Sequence, residues 1–247
     1  MIFWRTDNEL TFTVADALKQ IGIPSRHIKD FPTDHYPESI FYGIMRGTGN
    51  IMHEMRRHNK NFWYIDNGYF DAEYIDRFHR KPMTGYYRIS RGDMLEPFGG
   101  PDITSAPIQS RDFIIMPPSH YTANYYDTAP TDWSETWANI LVKKGFPMKF
   151  REKNSAVDLH GDLKELKQKG GSVLAFNSMS VMSALDWGVP VYDTHGVFRN
   201  AGEILKPDFK PRVMFDFAEV ERFYRPRQFT LSQIASGSFS FERGIAA

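Results

Sequence analysis

Short apolar runs alternate with amphipathic stretches along most of this chain, and one segment shows the grammar most clearly. Val173 to Phe176 is a four-residue apolar run, the length of a strand buried on both faces. Asn177 and Ser178 are N-cap residue types, and Met179, Met182 and Leu185 then recur at helical spacing. Gly188 stops that helix, and Val189-Pro190-Val191 opens another strand. The segment therefore reads β-loop-α-β, with a polar loop at the carboxyl end of a parallel strand. Open α/β sheets bind anionic ligands at such ends.

The same pattern recurs on both sides of this segment. Met1–Arg5, Ser25–Lys29, Ser39–Met45, Asn61–Ile65, Tyr86–Ser90, Phe113–Met116, Pro147–Phe150 and Val191–Thr194 read as strands. Thr11–Ile21, a stretch ending at Asn59, Leu159–Gln168, Asp216–Tyr224 and Thr230–Ser236 read as helices. A further helix starts at Thr131 and Asp132, with Asp132 and Glu135 as its capping pair. Pro97, Gly99, Gly100, Pro101 and Pro107 mark a linker over 97–111. The expected plan is an α/β half over 1–96, a second α/β half over 112–215, and C-terminal helices over 216–247. The expected fold class is α/β with mostly parallel sheets.

Composition narrows the function classes. Thirty basic residues balance thirty acidic ones across 247 residues, so the chain is no global polycation and any nucleic-acid surface must be a local patch. The absence of cysteine excludes disulfides and thiolate metal sites, and fits a reducing cytoplasm. No apolar run reaches the length of a membrane span, and the N-terminus lacks a basic-then-apolar signal pattern. Aromatic residues make up 15%; much of that must be core, but tyrosine pairs in polar surroundings suggest a stacking surface. The Rossmann fingerprint and the P-loop are both missing.

Candidate chemistry falls at strand ends. Arg46-Gly47-Thr48-Gly49-Asn50 follows one strand, and its glycines let backbone approach a phosphate, though a tight turn is the plainer reading. Asp66 follows another, placing a carboxylate where a general base is expected, although Asp-Asn-Gly is also strong turn chemistry. As a turn residue, Asp66 should be exchangeable for Asn without harm to the fold. His53, one turn into a helix, is the second candidate base. Tyr69, Phe70, Tyr86 and Tyr87 lie among Arg80, Lys81, Arg88 and Arg91, the mixture that neutralises and stacks on nucleic acid. A solvated loop with tyrosines packed on the core is the plainer alternative. In the second half, His120, Arg151 with Lys153, and Asn177 with Ser178 and Ser180 end three successive strands; Asp193 and His195 end a fourth.

Two phrases carry a resemblance. Ala175-Phe176-Asn177-Ser178 through Gly188-Val189-Pro190-Val191, and the stretch Gly145 to Asn154, resemble the nucleotide-sugar-binding half of GT-B glycosyltransferases, especially those of capsule polysaccharide synthesis. Ser183 departs from that pattern, since many such enzymes carry a ribose-binding Glu there. The resemblance implies Arg151 and Lys153 as cations on a donor diphosphate, with Asn177, Ser178 and Ser180 as further phosphate contacts. Arg46, Gly47, His120 and Asp193 would complete the donor side. It further implies transfer from a nucleotide diphosphate sugar, with a UDP-sugar the expected donor and no metal required.

The phrases Tyr42 to Asn50, Tyr64 to Phe70, Gly85 to Asp93 and Gln228 to Gly237 look like phage-encoded glycosyltransferases whose acceptor is a hydroxymethylated pyrimidine in double-stranded DNA. That resemblance implies Tyr69, Phe70, Arg80, Lys81, Tyr86, Tyr87, Arg88 and Arg91 on the acceptor. The alternatives are a transferase acting on a surface polysaccharide, and a non-catalytic nucleotide- or DNA-binding module.

Overall fold

The computed structural model describes residues 1–44, 47–70, 85–92, 98–100, 102–103, 105, 112–151, 159–178 and 180–239. The chain divides into two compact units: unit 1 is Met1–Glu96 with Arg222–Ala247, and unit 2 is Pro97–Glu221.

Unit 1 opens with β1 (Ile2–Arg5), α1 (Glu9–Gln20) and β2 (Ser25–His27). Asn8 caps α1, its side chain accepting from the Leu10 N–H. β3 (Ser39–Tyr42), α2 (Thr48–Arg57), β4 (Trp63–Asn67) and β5 (Tyr86–Arg91) follow, and the C-terminal segment returns with β10 (Gln228–Thr230) and α8 (Leu231–Ala235). The sheet runs β10-β5-β4-β3-β1-β2. Its four strands from β4 to β2 are parallel, whereas β5 and β10 are antiparallel additions. One core joins Phe3, Val14, Leu18, Ile40, Ile65 and Tyr87 to Phe229, Ile234 and Phe239, so the tail is part of this core. Thr230 begins α8 with a capping box closed by Gln233.

Unit 2 carries β6 (Phe113–Met116), α3 (His120–Tyr125), α4 (Pro130–Lys143), β7 (Met148–Phe150), α5 (Leu159–Lys169), β8 (Ser172–Ala175), α6 (Ser180–Asp186) and β9 (Val191–Asp193). α7 (Phe217–Tyr224) runs across the division between the units. The sheet order is β7-β6-β8-β9, all parallel. β6, β8 and β9 are buried throughout, as their apolar runs require. Taken by first appearance, this order is second-first-third-fourth. The parallel part of unit 1 has the same order, β2-β1-β3-β4. The expected fold class, α/β with mostly parallel sheets and helices in the C-terminal segment, is the one observed.

Three details differ from the sequence reading. α4 starts at Pro130 with Ala129 as its N-cap and no side-chain cap bond, so Asp132 and Glu135 do not form a capping box. Proline at the first helical position supplies the start signal instead. α3, a helix of six residues, and β10, a strand of three, are too short to show a period. Asp66 lies inside β4, opposite Arg88 of β5, and not in the turn after it.

Unit 2 leaves little slack at Gly171. A Cβ there would stand 2.3 Å from Leu166 Cδ1 and 2.8 Å from the Asp112 carbonyl oxygen. Gly171→Ala is therefore expected to cost about 1–3 kcal/mol, the range for overpacking, read as a lower urea midpoint at unchanged slope. Parental stability would show that α5 can move away from the sheet.

Candidate functional site

In unit 2 the strand order reverses between β6 and β8, so the crossovers diverge and open a crevice at their carboxyl ends. The candidate donor residues of this unit come from loops at those ends. Arg151 directly follows β7, and its Nη1 donates to Asp162 Oδ2 on α5. Lys149 Nζ donates to the other oxygen of Asp162 at 3.0 Å, so a nearly buried carboxylate is shared by two cations. His120 is the exposed first residue of α3, with Nε2 3.2 Å from the Asn124 amide nitrogen. Asn177 and Ser178 are half-buried after β8, and Ser178 Oγ accepts the Ser180 N–H at 3.2 Å as a local cap.

The end of β9 is the most tightly built. Asp193 is fully buried, and its carboxylate accepts N–H bonds from Gly196 at 2.6 Å, Phe198 at 2.8 Å and Arg199 at 3.1 Å. A Cβ on Gly196 would sit 3.0 Å from that carboxylate, so a larger residue there would push it by a few tenths of an ångström. Asp193 thus holds a loop together, its carboxylate turned onto backbone N–H groups. His195, partly exposed, stacks on the buried Phe176 ring at 4.2 Å and 12°, and its Nδ1 lies 2.9 Å from Thr194 Oγ1. Trp133 Nε1 donates to the same Thr194 oxygen at 3.2 Å.

In unit 1, Asp66, Arg88 and Tyr64 form a polar cluster across β4 and β5. Tyr64 Oη and Arg88 Nη2 each donate to Asp66 Oδ2 at 2.6 Å, and the Asn67 N–H donates to Oδ1 at 2.8 Å. Arg88, 7% exposed, also donates from Nη1 to the Asn67 carbonyl at 2.6 Å and lies over the Tyr69 ring at 4.5 Å. Gln228 of β10 accepts the N–H groups of Tyr69 and Phe70 through Oε1 and donates Nε2 to the Phe70 carbonyl at 3.1 Å. Gly68 makes that clamp possible, because a Cβ there would meet Gln228 Oε1 at 2.8 Å.

This cluster corrects several expectations. Arg88 and Tyr87 are not surface residues: one is consumed by Asp66 and Asn67, and the other is 1% exposed in the core. Phe70 is also buried, while Tyr69 and Tyr86 are half-buried and Arg91 is exposed. Asp66 already accepts three hydrogen bonds, so an acceptor hydroxyl would have to share a carboxylate that Arg88, Tyr64 and the Asn67 N–H also hold. His53 is half-buried on α2, and Gly47 is that helix's N-cap with φ 93°, a conformation that favours glycine. Arg46, Arg80, Lys81 and Lys153 lie outside the described residues.

The sequence reading missed Asp162, Gln228 and Tyr64. Asp162 had a signal: it shares the inner face of α5 with Leu163 and Leu166, where an acid needs a buried cation. Gln228 had none, since its partners lie 158 and 159 residues away. A cavity of about 190 Å³ lies at the opposite, amino end of β6 and β7, among Asp112, Phe113, Met148, Lys149, Leu166 and Lys169. Its lysines pair with Glu165, and the strand-end residues are not among its lining.

No protein-family model matches the chain, and no curated protein does. Among solved structures, the chain is similar to Thermosulfurimonas dismutans KpsC, described as a beta Kdo 2,4 transferase. The TM-score is 0.47 at 8% identity, over 96% of this chain and 89% of that one. Among the described residues, no helix is long and apolar enough to cross a membrane.

Two stability outcomes follow from the buried charges. Asp66→Asn leaves the Arg88 guanidinium without its counter-charge and is expected to cost about 3 kcal/mol, the low end for a buried pair because the Asn67 carbonyl remains. An unchanged urea midpoint would return Asp66 to the role of a turn residue. Burial pushes the Asp193 carboxyl up to about 6, against the opposing pull of its three N–H donors. The folded chain then holds a proton that the unfolded chain releases near pH 4, so stability falls as pH rises from about 4 to about 6 and is level above. The drop is on the order of 3 kcal/mol, and Asp193→Asn, less stable throughout, should lose it. Calorimetric melting of both proteins at stepped pH reads the difference.

Proposed function

We propose that this protein is a glycosyltransferase whose unit 2 takes the diphosphate of a nucleotide sugar, a UDP-sugar first among candidates. One observation carries the reading most directly: Arg151 stands at the end of a parallel strand in a sheet whose order reverses once, held there by Asp162. The resemblance of the β8-loop-α6 sequence to nucleotide-sugar-binding halves supports it.

In the reaction, an acceptor hydroxyl attacks the anomeric carbon. Its C–O bond forms as the bond to the diphosphate breaks, and the hydroxyl proton passes to a base. The leaving diphosphate gains charge, and an arginine fork meets two phosphate oxygens at once. Asn177, Ser178 and Ser180 would contact the same phosphates, with Lys153 as a second cation. His53 is the preferred base in this reading, because Asp66 is engaged by Arg88 and Tyr64.

Unit 1 takes the acceptor. Hydroxymethylated pyrimidine in DNA is the acceptor that the sequence resemblance supports. A saccharide acceptor is the outcome that would replace it.

Arg151→Ala tests the donor assignment. Asp162 keeps Lys149, so the fold should survive, while nucleoside diphosphate affinity should fall by about 1.5–3 kcal/mol in titration calorimetry. Equal affinity in parent and variant would overturn the diphosphate assignment. Nucleoside mass analysis of hydroxymethylated DNA incubated with a panel of nucleotide sugars tests the acceptor.

A further inference from the structure

The edge of the unit 2 sheet brings two cations onto one carboxylate. The Arg151 N–H donates to the Ile115 carbonyl at 2.8 Å, so the ladder between β6 and β7 runs one residue past β7. Residues two apart on a strand point to the same face, and Lys149 and Arg151 both reach α5. Asp162 meets them from the first turn of that helix, buried along with Leu163 and Leu166.

An arginine and a carboxylate left to themselves pair through two parallel N–H bonds. Asp162 is denied that form. Lys149 Nζ holds Oδ1 at 3.0 Å, and the bond from Arg151 runs from Nη1 to Oδ2. Lys149 is also 3.6 Å from Glu165 Oε2, while Lys169 holds the other Glu165 oxygen at 2.6 Å. Three cations thus face two acids, and this set keeps one positive charge.

We infer that Lys149 is a positioning residue for the donor site. By occupying one oxygen of Asp162 it keeps Arg151 from closing a two-bond pair, and so keeps that guanidinium for the donor diphosphate. The inference rests on the diphosphate reading of Arg151 above and extends it to a residue that acts through Asp162. Lys149 is exposed, and an exposed ion pair contributes little to stability, so its consequence is for the strand end and not for the fold. Without it, Asp162 turns both oxygens to Arg151, and the set loses its surplus charge.

The experiment is titration calorimetry of the full chain with UDP, with a melting curve for each variant. Lys149→Met should bind UDP roughly threefold to tenfold more weakly, the worth of one hydrogen bond, and should melt near the parent. Lys149→Arg should bind as the parent does, and so should Lys164→Met, which removes an exposed cation elsewhere on α5. Adding Asp162→Asn to Lys149→Met should return the affinity, since Asn leaves Arg151 one acceptor oxygen and removes the charge that neutralised it. A merely structural loss would not be repaired by taking away a second group. Parental affinity in Lys149→Met beside a weakened Arg151→Ala would overturn the positioning role and leave the diphosphate reading standing. A loss that a cooperatively melting double variant does not repair would also overturn it, because Lys149 would then act other than through Asp162. Equal affinity of the parent and Arg151→Ala would sink the diphosphate reading and this inference with it.

Discussion

A parallel strand buried on both faces has room for polar chemistry only at its ends. In each unit the backbone of the central strands is satisfied by its neighbours, and the side chains must be apolar or paired. Polar residues are therefore driven to the loops at the strand ends. With the order reversing once, between β1 and β3 in one sheet and β6 and β8 in the other, two of those loops in each unit diverge. The position of Arg151, Asn177, Ser178 and Thr194 follows from this constraint before any function is considered.

Where a charge does enter the sheet or its edge, the structure spends other groups to hold it. Arg88 is kept by Asp66 and the Asn67 carbonyl, Asp162 by Lys149 and Arg151, and Asp193 by three backbone N–H groups. Each arrangement orders a loop as well as satisfying a charge. The Asp193 carboxylate shapes the turn that presents His195, and the Asp66–Arg88 pair fixes the start of the loop carrying Tyr69. Asp66, Arg88 and Asp193, which look chemically available in sequence, are in this way committed to geometry, whereas the partly exposed Arg151 holds Asp162 from the end of its strand.

How much could be read in advance depended on how local the determining physics was. β6 and β8 were legible because four consecutive apolar residues leave few alternatives, and α1 and α5 because their apolar faces recur over at least three turns. Asp66 was misplaced by two residues of strand, since the pull of Asp-Asn-Gly toward a turn is local while its pairing with Arg88 spans 22 residues. The Tyr-Tyr-Arg-Ile-Ser-Arg stretch read as a basic, aromatic surface because no sequence signal shows that both faces of β5 are covered. Arg151, Asn177 and Ser178 stand at the ends of strands that were themselves legible; a partner such as Asp162 came from another element.

The tail shows the same limit from the other side. By itself Gln228-Phe229-Thr230 is too short and too polar to predict a strand, and only its antiparallel register with Tyr86 to Arg88 makes it one. That pairing seats Phe229 in the unit 1 core and turns the Gln228 side chain onto the loop from Gly68 to Phe70. Arg225 is consequently set over the Phe70 ring and Tyr224 edge-on to Tyr69. A basic run is an unremarkable solvated stretch until the chain fixes what lies next to it, and here β10 does so.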